Sequence, residues 1–197
     1  MRFAAAILAG GAASRLGGIA KGLIIGVGNI SWIQRLINEL AIAGIEEVIL
    51  SVNDRQPYLR IQKRLLPDWH PGRGPLGGIE TVLQHFGKSH DSVLFLPCDL
   101  PSFSAAEMSL VMEAHQSRPD RIVMAETARS QHPLCAAVPV SVLPAVSAAI
   151  ASGQCSVGRL WRELAAEAVR LPNSASLTDI NTPETLSQWQ KLAGLSP

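Results

Sequence analysis

Residues 8–21 read Leu8-Ala9-Gly10-Gly11-Ala12-Ala13-Ser14-Arg15-Leu16-Gly17-Gly18-Ile19-Ala20-Lys21, and they follow directly on a short apolar run, Phe3–Leu8. An apolar run of that length halted by two glycines reads as a buried first strand, not as a helix. Strand followed by glycine loop is the opening of an α/β unit. Gly10 and Gly11 carry no Cβ, so a ligand can approach their N–H groups as in a phosphate cradle. Arg15 and Lys21 add two cations to the same loop. Such charges beside exposed N–H donors suit a triphosphate, and they count for most when a transferring phosphoryl group spreads its negative charge. A surface loop with incidental cations explains the pattern less well, because four glycines and two cations follow a buried strand in a fixed order.

Two common glycine-loop motifs are excluded. A P-loop closes on Gly-Lys-Ser/Thr, whereas Lys21 here stands between Ala20 and Gly22. A dinucleotide fingerprint needs three glycines, and Gly26-Val27-Gly28 has Ser31 where the third belongs.

Composition narrows the class. With 197 residues, 47% of them hydrophobic and 17% charged, the chain can bury a sizeable core as a single domain spanning residues 1–197. Its 17 basic and 16 acidic residues leave a net charge of +1, which gives no overall attraction to nucleic acid or to an anionic membrane. Cys98, Cys135 and Cys155 are odd in number and far apart, arguing against a disulfide framework and for thiols in a reducing cytoplasm. The N-terminal stretch resembles a short signal peptide, but cleavage there would destroy the strand-plus-loop unit. Between Arg129 and Arg159 no charged residue occurs, yet Pro133, Pro139 and Pro144 and scattered serines point to a buried strand and a core helix, not to a membrane span.

The remaining elements follow in order. Residues 30–43 place Ile33, Leu36, Ile37, Leu40 and Ala41 at helical spacing before a stop at Gly44. Residues 47–52 form a β-branched strand ending at Asn53, at the sheet edge where ligands of open α/β folds collect. Residues 58–66 are expected to be helical. Gly72-Arg73-Gly74-Pro75-Leu76-Gly77-Gly78 opens a helix over 76–86 with Pro75 at its first turn, a ready platform for an anion or nucleotide. Residues 91–97, DSVLFLP, form the clearest central strand, covered on both faces. Asp99 follows it at once, well placed to hold Mg²⁺ against a nucleotide's phosphates, and Ser102 is expected to cap the helix over 103–116. Strands over 122–126 and 134–138, helices over 142–152 and 156–166, a short strand over 168–171 and a helix from Thr182-Pro183 complete the chain. The five histidines show no spacing for metal binding.

Several of these pieces share one resemblance. The segment 8–21 resembles the LAGGxxxRMGGxxK signature of nucleotidyltransferases, and with Asn53, Gly74-Pro75-Leu76-Gly77-Gly78 and Pro97-Cys98-Asp99-Leu100-Pro101 it resembles, in order and spacing, the molybdenum cofactor guanylyltransferases. His132-Pro133-Leu134 and Asp179-Ile180-Asn181-Thr182-Pro183-Glu184-Thr185-Leu186 resemble that family's substrate-side HPL and terminal NxNTPEDL segments.

The resemblance implies a Rossmann-like, three-layer α/β nucleotidyltransferase fold with a mostly parallel sheet. It also implies transfer of GMP from GTP to Mo-molybdopterin with release of pyrophosphate, and hand-over of the product to molybdoenzymes or cofactor chaperones. Leu8, Ala9 and Gly10 would hold the base and phosphates, Lys21 the phosphates, and Asn53 and Asp68 the guanosine; Gly11 would also bind the nucleotide, and Asp99 would bind nucleotide and Mg²⁺. Arg15, Lys21 and Asp99 would be catalytic, and Asp179 and Asn181 would face the molybdopterin. The terminal phosphate of molybdopterin is already a nucleophile, so the protein needs no Ser or Cys and supplies positioning and charge stabilisation. Ala20, Leu16 and Asp179 depart from the family's aspartate, methionine and asparagine. A molybdopterin cytidylyltransferase, a sugar-phosphate nucleotidyltransferase and a non-catalytic nucleotide carrier stand as alternatives, since no residue here separates guanine from cytosine.

Overall fold

The computed structural model describes residues 1–10, 15–16, 19–70 and 72–194, with the backbone alone at 15, 16, 19 and 174. The chain opens with β1 (Phe3–Leu8), a two-residue antiparallel ribbon of β2 (Arg15–Leu16) and β3 (Ile19–Ala20), and α1 (Trp32–Ile42). Next come β4 (Val48–Val52), β5 (Arg64–Pro67), α2 (Pro75–Phe86), β6 (Ser92–Pro97) and α3 (Ala105–Gln116). The second half holds β7 (Val123–Glu126), β8 (Gln131–Pro139), α4 (Leu143–Ala151), α5 (Val157–Glu163), β9 (Glu167–Arg170) and α6 (Pro183–Leu192).

Seven strands form one sheet in the order β5-β4-β1-β6-β8-β7-β9. The first four run parallel, with Ile7 of β1 registered between Leu50 of β4 and Leu96 of β6. β8 then pairs antiparallel with β6, β7 antiparallel with β8, and β9 parallel with β7. Strand periodicity divides the side chains between two cores. Ala5 and Ile7 of β1 face α1 and α3, while Ala4 and Ala6 face the layer of α2, α4 and α5. A central strand of small residues lets both helical layers approach closely, and Ala4, Ala5, Ala6 and Ile7 are fully buried. The uncharged stretch after Arg129 is β8 and α4, as expected. Among the described residues no helix is long and apolar enough to cross a membrane.

Three expectations are corrected. Residues 58–66 are not helical: a 3-10 turn, Gln56–Tyr58, leads into β5, which pairs parallel with β4. Helical spacing in that stretch is overridden by the open sheet edge, whose backbone groups need partners. The cap of α3 is Ser104, not Ser102. Glu107 reaches back to accept from the Ser104 N–H at 2.9 Å and its hydroxyl at 2.8 Å, a capping box whose Ser-x-x-Glu spacing stood in the sequence. β8 begins at Gln131, three residues earlier than expected, so His132 and Pro133 lie on a strand. Trp161, fully buried in α5, donates its indole N–H to the Pro133 carbonyl at 2.9 Å and holds that start in place.

Candidate active site at the carboxyl edge of the sheet

β1 and β6 are neighbours in the sheet, but the chain leaves β1 toward β4 on one side and β6 toward β7 on the other, so their carboxyl ends border the crevice where open α/β sheets bind ligands. A cavity of about 610 Å³ occupies that position. Leu8 and Gly10 enter it from the end of β1, Asn53 from the end of β4 and Asp99 from just beyond β6. A Cβ on Gly10 would stand 3.1 Å from Asn53 Oδ1, so the glycine lets the two chain segments approach closely. The first turn of α2 supplies Gly74, Pro75 and Gly78, and the opposite wall is the start of β8 with the residue before it.

Charge is concentrated on one side. Lys21, in a 3-10 turn after β3, is 2% exposed. Its Nζ donates to Asp99 Oδ2 at 3.3 Å and to Asn181 Oδ1. Asn181 reaches this point because the chain returns from β9 along the sheet edge, where the Ile180 N–H donates to the Asp99 carbonyl at 3.3 Å. Beyond it, α6 is seated by Trp189, edge-on to Trp32, with its indole N–H donating to Ser102 Oγ at 3.1 Å. Asp179 lines the cavity beside this cluster. Partial burial at the cavity wall, reinforced by the charge of Asp99 and opposed by Lys21, raises its carboxyl from 3.8 to about 6.

Asp68, at the far side, accepts from Ser51 Oγ at 3.2 Å; burial raises its carboxyl and the Ser51 hydroxyl lowers it. The cavity's thiols are not nucleophiles. Burial, followed by the Asp99 charge, pushes Cys98 up to about 12, and burial holds Cys135 well above the ordinary thiol range. Burial also lowers His132, whose Nε2 is hydrogen-bonded to Ser130 Oγ at 2.9 Å, so the ring is neutral at pH 7.

Leu8, Gly10, Lys21, Asn53, Asp68, Asp99 and Asp179 thus meet around one cavity, and Asn181 joins it through Lys21. Ala9 points elsewhere: its side chain is in the core, its N–H donates to the Ser51 carbonyl at 2.8 Å and its carbonyl accepts from the Tyr58 hydroxyl at 3.4 Å. Gly11 and the Arg15 side chain lie outside the described residues. Sequence reasoning missed Ser51, although one hydroxyl in the otherwise apolar strand VILSV was a visible signal. It also missed Gln131 and Cys135, which reach the cavity only through the antiparallel placement of β8.

The model of the MobA-like NTP transferase domain matches residues 5–169. The molybdenum cofactor guanylyltransferase of Pseudomonas fluorescens (strain Pf0-1) is 34% identical over 186 residues, covering 92% of this chain and 90% of that protein. That of Vibrio atlanticus (strain LGP32) is 32% identical, covering 94% of each. Among solved structures, molybdopterin-guanine dinucleotide biosynthesis protein A from Archaeoglobus fulgidus superposes with a TM-score of 0.75 at 20% identity, over 96% of this chain and 98% of that one. A CMP:2-keto-3-deoxy-manno-octonic acid synthetase complexed with CTP gives 0.74 at 16% identity, over 98% and 99%, and shares the fold alone. A nucleotidyltransferase sheet, a glycine loop leading to a buried lysine, and relatives matched along nearly their whole length converge: the chain belongs to the MobA-like NTP transferase family, with the molybdenum cofactor guanylyltransferases among its relatives.

Proposed function

We propose that this chain transfers GMP from Mg²⁺-bound GTP to molybdopterin in the cytoplasm. One observation carries the reading: Gly10 and Lys21, Asn53, Asp68 and Asp99 come from four separated stretches and converge on one cavity, in a chain whose relatives are named molybdenum cofactor guanylyltransferases. The triphosphate lies over Leu8, Gly10 and Lys21. Asn53 and Asp68 address the guanosine, and Asp179 and Asn181 face the molybdopterin. A phosphate oxygen of molybdopterin attacks the α-phosphorus, the new P–O bond forms in line, and pyrophosphate leaves with the electrons of the broken bond. Lys21 places a fixed ammonium where that negative charge develops. No thiol takes part.

The donor set fits a hard divalent cation. Asp99 presents carboxylate oxygen, a second carboxylate, Asp179, lies close enough to feel its charge, and Lys21 is the cation bonded to Asp99. Mg²⁺ commonly takes one or two carboxylates and completes its shell with phosphate and water, so Asp99 would hold it. When bound, the ion draws charge off the phosphates. The test follows the label: α-³²P-GTP should pass its phosphate to molybdopterin while γ-labelled GTP should not, and Asp99→Ala should abolish transfer with the circular dichroism unchanged. Full transfer by Asp99→Ala would remove the metal assignment.

A further inference from the structure

β4 is buried along its whole length and carries one hydroxyl among apolar side chains. That residue, Ser51, is 2% exposed, lines the cavity and donates to Asp68 Oδ1 at 3.2 Å. The contact exists because α2 opens on glycines. A Cβ at Gly78 would stand 2.5 Å from Ser51 Oγ and 3.2 Å from Asp68 Oδ1, and one at Gly77 would lie 3.6 Å from Asp68 Oδ2. The carboxylate is therefore seated between the end of β4 and the bare first turn of α2, where the positive helix end favours an anion.

The loop that carries Asp68 is tied down at its next two residues. The Trp69 N–H donates to Thr81 Oγ1 at 3.0 Å, and His70 Nδ1 donates to Glu80 Oε2 at 2.8 Å. Glu80, itself buried, accepts at its other oxygen from the Ser147 hydroxyl at 2.6 Å. The two residues after Asp68 are thereby held in place, and Ser51 donates to one oxygen of its carboxylate.

A carboxylate only accepts hydrogen bonds. Guanine offers it two adjacent donors, N1–H and the 2-amino group. Cytosine and adenine place a ring acceptor beside their amino donor, and hypoxanthine lacks the second donor. A polar site built for a donor pair rejects bases lacking one, because its buried acceptor is then left unpaired. Resting on the nucleotide site proposed above, we infer that Ser51 is a positioning residue for base specificity: by donating to Asp68 Oδ1 it aims the carboxylate at the two-donor edge of guanine.

The experiment measures thermal protection of the full chain by GTP, ITP and CTP with Mg²⁺, converted to dissociation constants, for wild type, Ser51→Ala, Ser51→Cys and Asp68→Ala. Wild type binds GTP more tightly than ITP or CTP. Ser51→Ala weakens GTP about tenfold, the scale of one hydrogen bond to a charged group, and weakens ITP, which keeps N1–H but has no 2-amino donor, by less, so the GTP/ITP ratio falls. Ser51→Cys, with a weaker donor of similar shape, falls between. A structural role alone would lower the melting temperature without moving that ratio. The proposal is overturned if Ser51→Ala keeps the wild-type ratio while Asp68→Ala loses it, or if Asp68→Ala also keeps it. Absence of protection of wild type by any nucleotide would overturn the nucleotide site itself.

Discussion

Replacing Lys21 by methionine removes the buried cation and keeps most of the side chain's length. At 3.3 Å the gross attraction between the ammonium and Asp99 is about 5 kcal/mol at an effective dielectric of ~20. Most of this is offset in the native protein, because Lys21 is almost wholly desolvated. The Asp99 side chain keeps 19% of its surface exposed at the cavity, so water solvates it once the partner is gone. The net loss of stability is therefore ~1–2 kcal/mol, or roughly 2–8 °C in melting temperature for a chain this long. The catalytic loss is larger. A cation aimed at developing phosphate charge is worth about 10²–10³ in rate, as for other fixed electrostatic donors. Urea unfolding at pH 7.5 gives the first quantity, and pyrophosphate release from GTP in the presence of molybdopterin gives the second. Lys21→Met should fold cooperatively, melt slightly lower and lose at least a hundredfold in turnover. Turnover within threefold of wild type would refute the reasoning, since the buried ammonium would then contribute nothing at the transition state.

Asp179→Asn should change the pH dependence of stability in metal-free buffer. With a carboxyl near 6 in the folded chain against 3.8 unfolded, the native state holds the extra proton, so this group costs nothing below about pH 4 and destabilises progressively as pH rises through 6. Asp179 is open to the cavity, so screening limits the cost to about 1 kcal/mol; the variant should match wild type at pH 4 and exceed it by that amount at pH 8 in denaturant titrations. Gly22→Ala would set a methyl 2.3 Å from Ile33 Cδ1 and 2.6 Å from Cγ1. Ile33 is fully buried, so overpacking should cost about 1–3 kcal/mol by urea unfolding and reduce turnover by displacing the adjacent Lys21. Trp189→Ala should loosen α6, which has no fully buried residue of its own. Amide exchange over 183–192 should accelerate several-fold while the melting temperature moves by less than about 3 °C.

The sequence made the parallel half legible because its elements are locally specified. A buried strand ending at Gly10-Gly11, an amphipathic helix stopped at Gly44, and DSVLFLP ending at Asp99 each carry their own signal. β5 was hidden, since a four-residue edge strand with two exposed and two half-buried residues has neither a long apolar run nor alternation, and only pairing with β4 defines it. The side of the cavity lined by Gly10, Lys21, Asn53 and Asp99 was legible as motifs. Ser51, Gln131 and Cys135 were not, because their roles depend on which strands neighbour which, and no local pattern encodes that order. The Lys21 to Asn181 contact spans 160 positions and follows from the return of the chain beside β6. Asp179-Ile180-Asn181 was visible as a motif, but its closure on Lys21 was not.

The most direct test of the account is pyrophosphate release with Mg²⁺, from GTP and from CTP, with and without molybdopterin. The cavity geometry predicts release from GTP when molybdopterin is supplied, little release from CTP, and none above background without the acceptor. Preference for CTP, or absence of release despite measurable GTP binding, would contradict it.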